Sequence, residues 1–128
     1  MQIHESAENY LESILILTEK KGYVRSVDIA NELGFSKPSV SIAMKALREN
    51  GYIKIDSDGY ITLLDKGNEI AKKIYERHKL LSQWLVMLGV NEDTATEDAC
   101  RIEHDISEES FEAIKRHVAP KISDKEED

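Results

Sequence analysis

Apolar residues recur along most of this chain at helical spacing, with one short interval of alternation in the middle. From about residue 4 to residue 20, Tyr10, Leu11, Ile14, Leu15 and Leu17 form one stripe. Glu5, Asn9 and Glu12 stack on another face of the same predicted helix, and Lys21-Gly22 ends it. A shorter helix is predicted over about 27–33, with Ser26 as its N-cap, Ile29 and Leu33 inward and Gly34 behind it. The third begins with Ser36 as N-cap and Pro38 in the first turn. It turns Val40, Met44 and Leu47 inward and stops at Asn50-Gly51. The pattern then alternates: residues 52–55 and 60–63 flank Asp56-Ser57-Asp58-Gly59, which reads as a hairpin with an Asp-Gly turn.

Helical spacing resumes at Asp65 and runs to about Leu88, with Ile70, Ile74, Leu81, Leu85 and Leu88 inward. His78 falls on that stripe, so an ionisable ring faces the interior or a partner helix rather than water. Gly89 breaks the helix and Asn91 caps the next, with Glu92 and Asp93 suited to its first turn. Ala95, Ala99, Ile102 and Ile106 make a narrow stripe there, and Cys100, Glu103 and His104 cover the flank beside it. Ser107 caps a last helix with Phe111, Ile114 and Val118 inward, ended by Pro120. Residues 121–128, with an acidic, polar close, are expected to be a disordered tail.

Two short helices around a tight glycine-containing connection, preceded by a helix and followed by a hairpin, form a winged helix-turn-helix. The expected fold is therefore mainly α: a winged helix-turn-helix DNA-binding domain over 1–64, then a helical domain over 65–120. Three helices after the wing are too few to hide much core, so a homodimer is expected, with Phe111, Ile114 and Val118 as candidates for its interface.

Composition narrows the setting. No apolar run approaches the roughly 18–20 residues of a membrane span. Met1-Gln2-Ile3-His4-Glu5 lacks the basic start and apolar core of a secretory signal. The single cysteine allows no intrachain disulfide, which fits a reducing cytoplasm. The net charge of −8 opposes nucleic acid at first sight, but it is unevenly spread. Residues 1–64 hold seven Lys/Arg against nine Asp/Glu, a net of −2; residues 65–128 hold ten against sixteen, a net of −6. The acid excess lies mostly outside the winged half, where bound cations would offset it.

Two constellations carry candidate chemistry. Ser36, Lys37, Pro38, Ser39 and Ser41 lie at the N-terminal end of the second helix of the helix-turn-helix, the end that enters the major groove in this motif. Their hydroxyls suit phosphate or base contacts, and Lys37 and Lys45 can neutralise phosphate, whereas Ile42 offers only apolar contact. Cys100, Glu103 and His104 sit at i, i+3 and i+4, one roughly common direction on a helix. A lone cysteine beside an apolar stripe is ordinarily a small buried hydrophobe, and adjacent polar residues on a helix are commonplace. Thiol, carboxylate and imidazole together, with His78 on a second helix and Glu5, Asn9 and Glu12 on a third, instead form parts of a transition-metal ligand set. No separate base and nucleophile appear, which argues against an enzyme.

The chain resembles the diphtheria toxin repressor family of metal-dependent transcriptional repressors. The likeness runs from the first helix to about Val118 and is most specific in Glu8-Asn9-Tyr10-Leu11-Glu12, in Arg77-His78-Lys79-Leu80-Leu81 and in Cys100-Arg101-Ile102-Glu103-His104-Asp105-Ile106-Ser107. The resemblance implies a DNA-binding half and a metal-binding and dimerisation half. It also implies binding of a palindromic operator on duplex DNA as a homodimer loaded with Fe(II) or Mn(II), without a small-molecule substrate. It implies Glu12, His78, Cys100, Glu103, His104 and Asn9 as ligands. Cys100 is similar to the iron branch and Glu12 to the manganese branch; Asn9 departs from both, and Ser82 and Thr96 replace further ligands of the iron branch. A winged-helix regulator that does not respond to metal is the alternative reading.

Overall fold

The structure, a computed structural model, describes residues 5–127, the side chains of 122–127 excepted. Six helices and a two-stranded wing follow one another as α1 (Glu5–Lys21), α2 (Ser26–Leu33), α3 (Lys37–Glu49), β1 (Ile53–Ile55), β2 (Ile61–Leu63), α4 (Asp65–Met87), α5 (Glu92–Asp105) and α6 (Glu108–Glu127). The chain packs as two compact units, Met1–Lys73 and Ile74–Asp128. Among the described residues no helix is long and apolar enough to cross a membrane.

The first unit is a winged helix. Leu11 and Ile14 of α1, Ile29 of α2, Val40, Met44 and Leu47 of α3, and Ile53 of β1 form its buried core. Ser36 caps α3 as its sequence predicts: its hydroxyl oxygen accepts from the Ser39 N–H at 3.3 Å. The cap of α2 differs from the expected Ser26. Arg25 is the N-cap residue, and Asp28, at the third helical position, reaches back to accept from the Arg25 N–H at 2.9 Å. A carboxylate in the first turn thus satisfies the N–H of the cap residue itself.

The wing pairs β1 and β2 antiparallel, with Ile53 opposite Leu63 and Ile55 opposite Ile61. Its turn is held by Asp56, whose Oδ1 accepts from the N–H groups of Asp58 and Tyr60, both at 2.9 Å. Gly59 takes φ +87°, a conformation open to glycine and strained for most residues.

The first turns of α4 belong to the first unit, so the packing divides inside α4 rather than at its start. Gly67 explains why. A Cβ there would overlap the Tyr52 carbonyl oxygen and sit 3.3 Å from Leu11 Cδ2, so only glycine lets α4 lie against the root of the wing.

The second unit buries Ile74 and Leu81 of α4, Ala95 and Ala99 of α5, and Phe111 and Val118 of α6. Asn91 caps α5, its side chain accepting from the Asp93 N–H at 3.0 Å, and Ser107 does the same for Ser110 at 3.1 Å. Three expectations are corrected here. Phe111 and Val118 are 3% and 1% exposed, core residues of this chain and not free to meet a second copy. Leu88 lies past the end of α4 and is 64% exposed, because the chain turns away there through Gly89 at φ +102°. Pro120 does not end α6, whose helical backbone continues to Glu127. A proline removes one backbone hydrogen bond and bends a helix, and the turns beyond it can still form. Residues 1–4 and Asp128 lie outside the described residues.

Gly67→Ala is expected to lower the unfolding free energy by about 1–3 kcal/mol, the usual result of overpacking a tight contact. A denaturant midpoint unchanged from the wild type would show that α4 does not need this close approach.

Candidate metal centre

Helical periodicity places His78 on the inward side of α4, four residues after Ile74 and three before Leu81, both buried. On α5 the same rule stacks Cys100 and Glu103 one turn apart, beside the buried Ala99. The two helices bring these three side chains together. Glu103 Oε2 lies 2.9 Å from His78 Nδ1, Cys100 Sγ lies 3.8 Å from the same nitrogen, and one donor atom from each falls within 4.8 Å of the others.

The electrostatics are unusual because Glu103 is fully buried, at 0% exposure. Its Oε1 has no hydrogen-bond donor among the described residues, although His104 Nε2 stands 3.4 Å away. His78 is half-buried and Cys100 is exposed. The Cys100 sulfur first, and the Glu103 carboxylate second, push the His78 imidazole up from 6.5 to about 10, against the opposing effect of burial. A cation is thus favoured between the three groups. Sulfur, imidazole nitrogen and carboxylate oxygen, one carboxylate atom still lacking a donor, fit a divalent transition metal.

Arg77 is the residue that sequence reasoning missed. It is 6% exposed and donates through Nη1 to the carbonyl oxygens of Glu103 and Ile106, at 3.2 and 2.9 Å. Its Nη2 donates to Glu108 Oε2 at 3.0 Å, and its guanidinium lies over the Phe111 ring. It therefore satisfies carbonyls that the end of α5 leaves without helical partners, and it fixes the turn bearing Glu103. The signal was present: Arg77 is three residues after Ile74 and four before Leu81, inward positions for a charged side chain.

Of the other expected ligands, His104 follows Glu103 with a side chain only 1% exposed, but it is not one of the three converging groups. Glu12, buried, and Asn9, half-buried, belong to α1 in the first unit. The expected DNA-facing residues Ser36, Lys37, Pro38, Ser39, Ser41 and Lys45 are all exposed at or along α3.

Residues 2–61 match the family model described as "Iron dependent repressor, N-terminal DNA binding domain", and residues 64–121 match "Iron dependent repressor, metal binding and dimerisation domain". The chain belongs to the diphtheria toxin repressor family. An uncharacterized HTH-type transcriptional regulator of Methanocaldococcus jannaschii is 38% identical over 113 residues, covering 87% of this chain and 90% of that protein. The HTH-type transcriptional regulator MntR of Bacillus subtilis is 37% identical over 109 residues, covering 85% and 77%. A solved manganese-dependent transcriptional repressor in complex with manganese superposes with a TM-score of 0.81 at 29% identity, covering 88% of this chain and 52% of that one. This repressor thus spans about half the length of that solved relative. It is a metal-dependent DNA-binding transcriptional repressor of metal homeostasis, with Fe(II) or Mn(II) as cofactor.

In the metal-free repressor, the stability contributed by His78 is fully present below about 6.5 and is lost as pH rises through about 10. NMR titration of the ring should therefore give a midpoint well above 6.5, moved down in both Cys100→Ser and Glu103→Gln. A wild-type midpoint near 6.5 would show that neither group holds the proton.

Proposed function

We propose that His78, Cys100 and Glu103 hold the regulatory Fe(II) or Mn(II), and that this occupancy controls docking of α3 on a palindromic operator. The observation that carries this reading is the fully buried Glu103 carboxylate facing both His78 and Cys100. When bound, the divalent ion supplies two positive charges and Lewis acidity to this donor set. His78 must first give up its proton and Cys100 must be a thiolate, so activation weakens as pH falls. The soft sulfur of Cys100 favours Fe(II), and the hard oxygens of Glu103 favour Mn(II). For Glu12, Asn9 and His104 as ligands, the family resemblance alone makes the assignment.

In the first unit, Lys37 and Lys45 neutralise operator phosphates, while Ser36, Ser39, Ser41 and Pro38 face the groove. α4 serves both units: it starts against Tyr52 at the wing and carries His78 further along. Ordering α4 and α5 around His78 and Glu103 favours the DNA-competent population. The repressor acts as a homodimer in the cytoplasm. With Phe111 and Val118 in the core, Val86 in the last turn of α4 and Leu88 just beyond it are, among the described residues of the second unit, exposed large apolar side chains available to a second copy. A catalytic role and a small-molecule substrate form no part of this reading, since the relatives are transcriptional regulators.

The test compares operator affinity against free Fe(II) and Mn(II), without oxygen, for the wild type and Glu103→Gln. Metal should raise wild-type affinity, and the variant should require at least about 100-fold more metal for the same effect. Equal responses in the two proteins would remove Glu103 from the ligand set. Wild-type affinity indifferent to metal would favour the regulator without a metal switch.

A further inference from the structure

Ile42 does nothing for the fold of α3. It stands two residues from both Val40 and Met44, and a helical turn of 3.6 residues puts it on the side opposite the buried stripe of Val40, Met44 and Leu47. Its exposure is 73%, the highest of any large apolar side chain among the described residues. A β-branched residue on an open helix face is slightly worse for helix formation than a straight-chain polar one, and it gains nothing from packing there. Pro38, one turn earlier, and Lys45, one turn later, share its face, and Ser39 and Ser41 flank it; all four are exposed. Ile42 is therefore the one large apolar surface within a polar and cationic face.

We propose that Ile42 is a specificity-determining residue of the operator contact, reading the C5-methyl group of a thymine in the major groove. The inference rests on α3 being the helix that enters the groove. An isoleucine has no donor or acceptor, so the polar atoms of guanine, adenine or cytosine edges placed against it would lose water without gaining a partner. Thymine alone presents a methyl group in that groove, and contact between two apolar surfaces removes both from water. Ile42 thus discriminates in two ways, by attraction to the methyl and by rejection of unpaired polar edges. Lys37 and Lys45 give affinity without base preference. The serine hydroxyls can act as donor or acceptor and so suit several bases, which leaves Ile42 as the least permissive contact on the face.

The experiment uses the full chain loaded with Mn(II). An operator is selected from a random duplex library, and its thymines are then replaced by uracil one at a time, which deletes the methyl and nothing else. One thymine in each half-site should show about fourfold weaker binding as uracil, the value of one buried methyl. Ile42→Ala should lose that sensitivity while keeping the salt dependence of binding, since Ile42 neutralises no phosphate. Ile42→Gln should move the preference at the same position toward adenine, whose N6 and N7 a glutamine amide engages in pairs. If every thymine tolerates uracil, or Ile42→Ala keeps the wild-type sensitivity, the proposal is overturned. Lys37→Ala separates the two levels. A salt slope reduced by about one, with no uracil effect, removes only the role of Ile42. No change in slope or affinity for either Lys37→Ala or Ile42→Ala removes α3 from the groove as well.

Discussion

A carboxylate with no exposure to water calls for a positive or hydrogen-bonding partner, and Glu103 carries that demand in the last turn of α5. Burying an ion costs several kcal/mol unless charge or hydrogen bonds answer it. Arg77 does not meet the cost at the carboxylate: its guanidinium goes to the backbone carbonyl of Glu103, to Ile106 and to Glu108. The carboxylate itself faces His78, whose ring is pushed up to about 10 by Cys100 and Glu103. On the proposed ligand assignment, a proton on His78 and a divalent cation are two answers to one electrostatic demand and compete for the same ring. Cys100, exposed beside them, leaves the group open on one side.

Arg77 and Gly67 each anchor α4 within its own unit. Arg77 ties the turn of α5 that bears Glu103 to α4 and α6 through four contacts of different kinds. Gly67 lets the same helix approach the Tyr52 carbonyl in the first unit. α4 thus runs from the DNA-binding unit into the unit that carries His78. The acid excess of the second half of the chain has a physical sense in this setting, since a cation relieves the repulsion that such a charge distribution carries.

Much of this was legible in residue order, and the failures have physical causes. Helix positions followed from stripes such as Val40, Met44 and Leu47, and the wing from the alternation around Asp56 and Gly59. His78, Cys100 and Glu103 could be gathered as candidates by residue type and spacing, but spacing could not tell that Glu103 would be fully buried while Cys100 stayed exposed. That difference depends on how α4 packs against α5, a long-range property. The role of Arg77 was hidden for the same reason, as its hydrogen-bond partners lie 26 to 31 residues away. Arg25 replaced Ser26 as the cap of α2, because Asp28 in the first turn bonds back to the Arg25 N–H. Phe111 and Val118 read equally well as core or as interface, and only their burial separates the two.

If metal and operator act on one equilibrium, their couplings must be reciprocal: the factor by which metal tightens DNA binding equals the factor by which DNA tightens metal binding. The direct measurement is Mn(II) affinity of the wild-type repressor with and without saturating operator DNA, at fixed pH and salt, without oxygen. The structure predicts tighter Mn(II) binding in the presence of the operator, by the same factor that Mn(II) confers on DNA binding, with that gain lost in Glu103→Gln. Mn(II) affinity identical with and without operator would contradict a switch built on His78, Cys100 and Glu103.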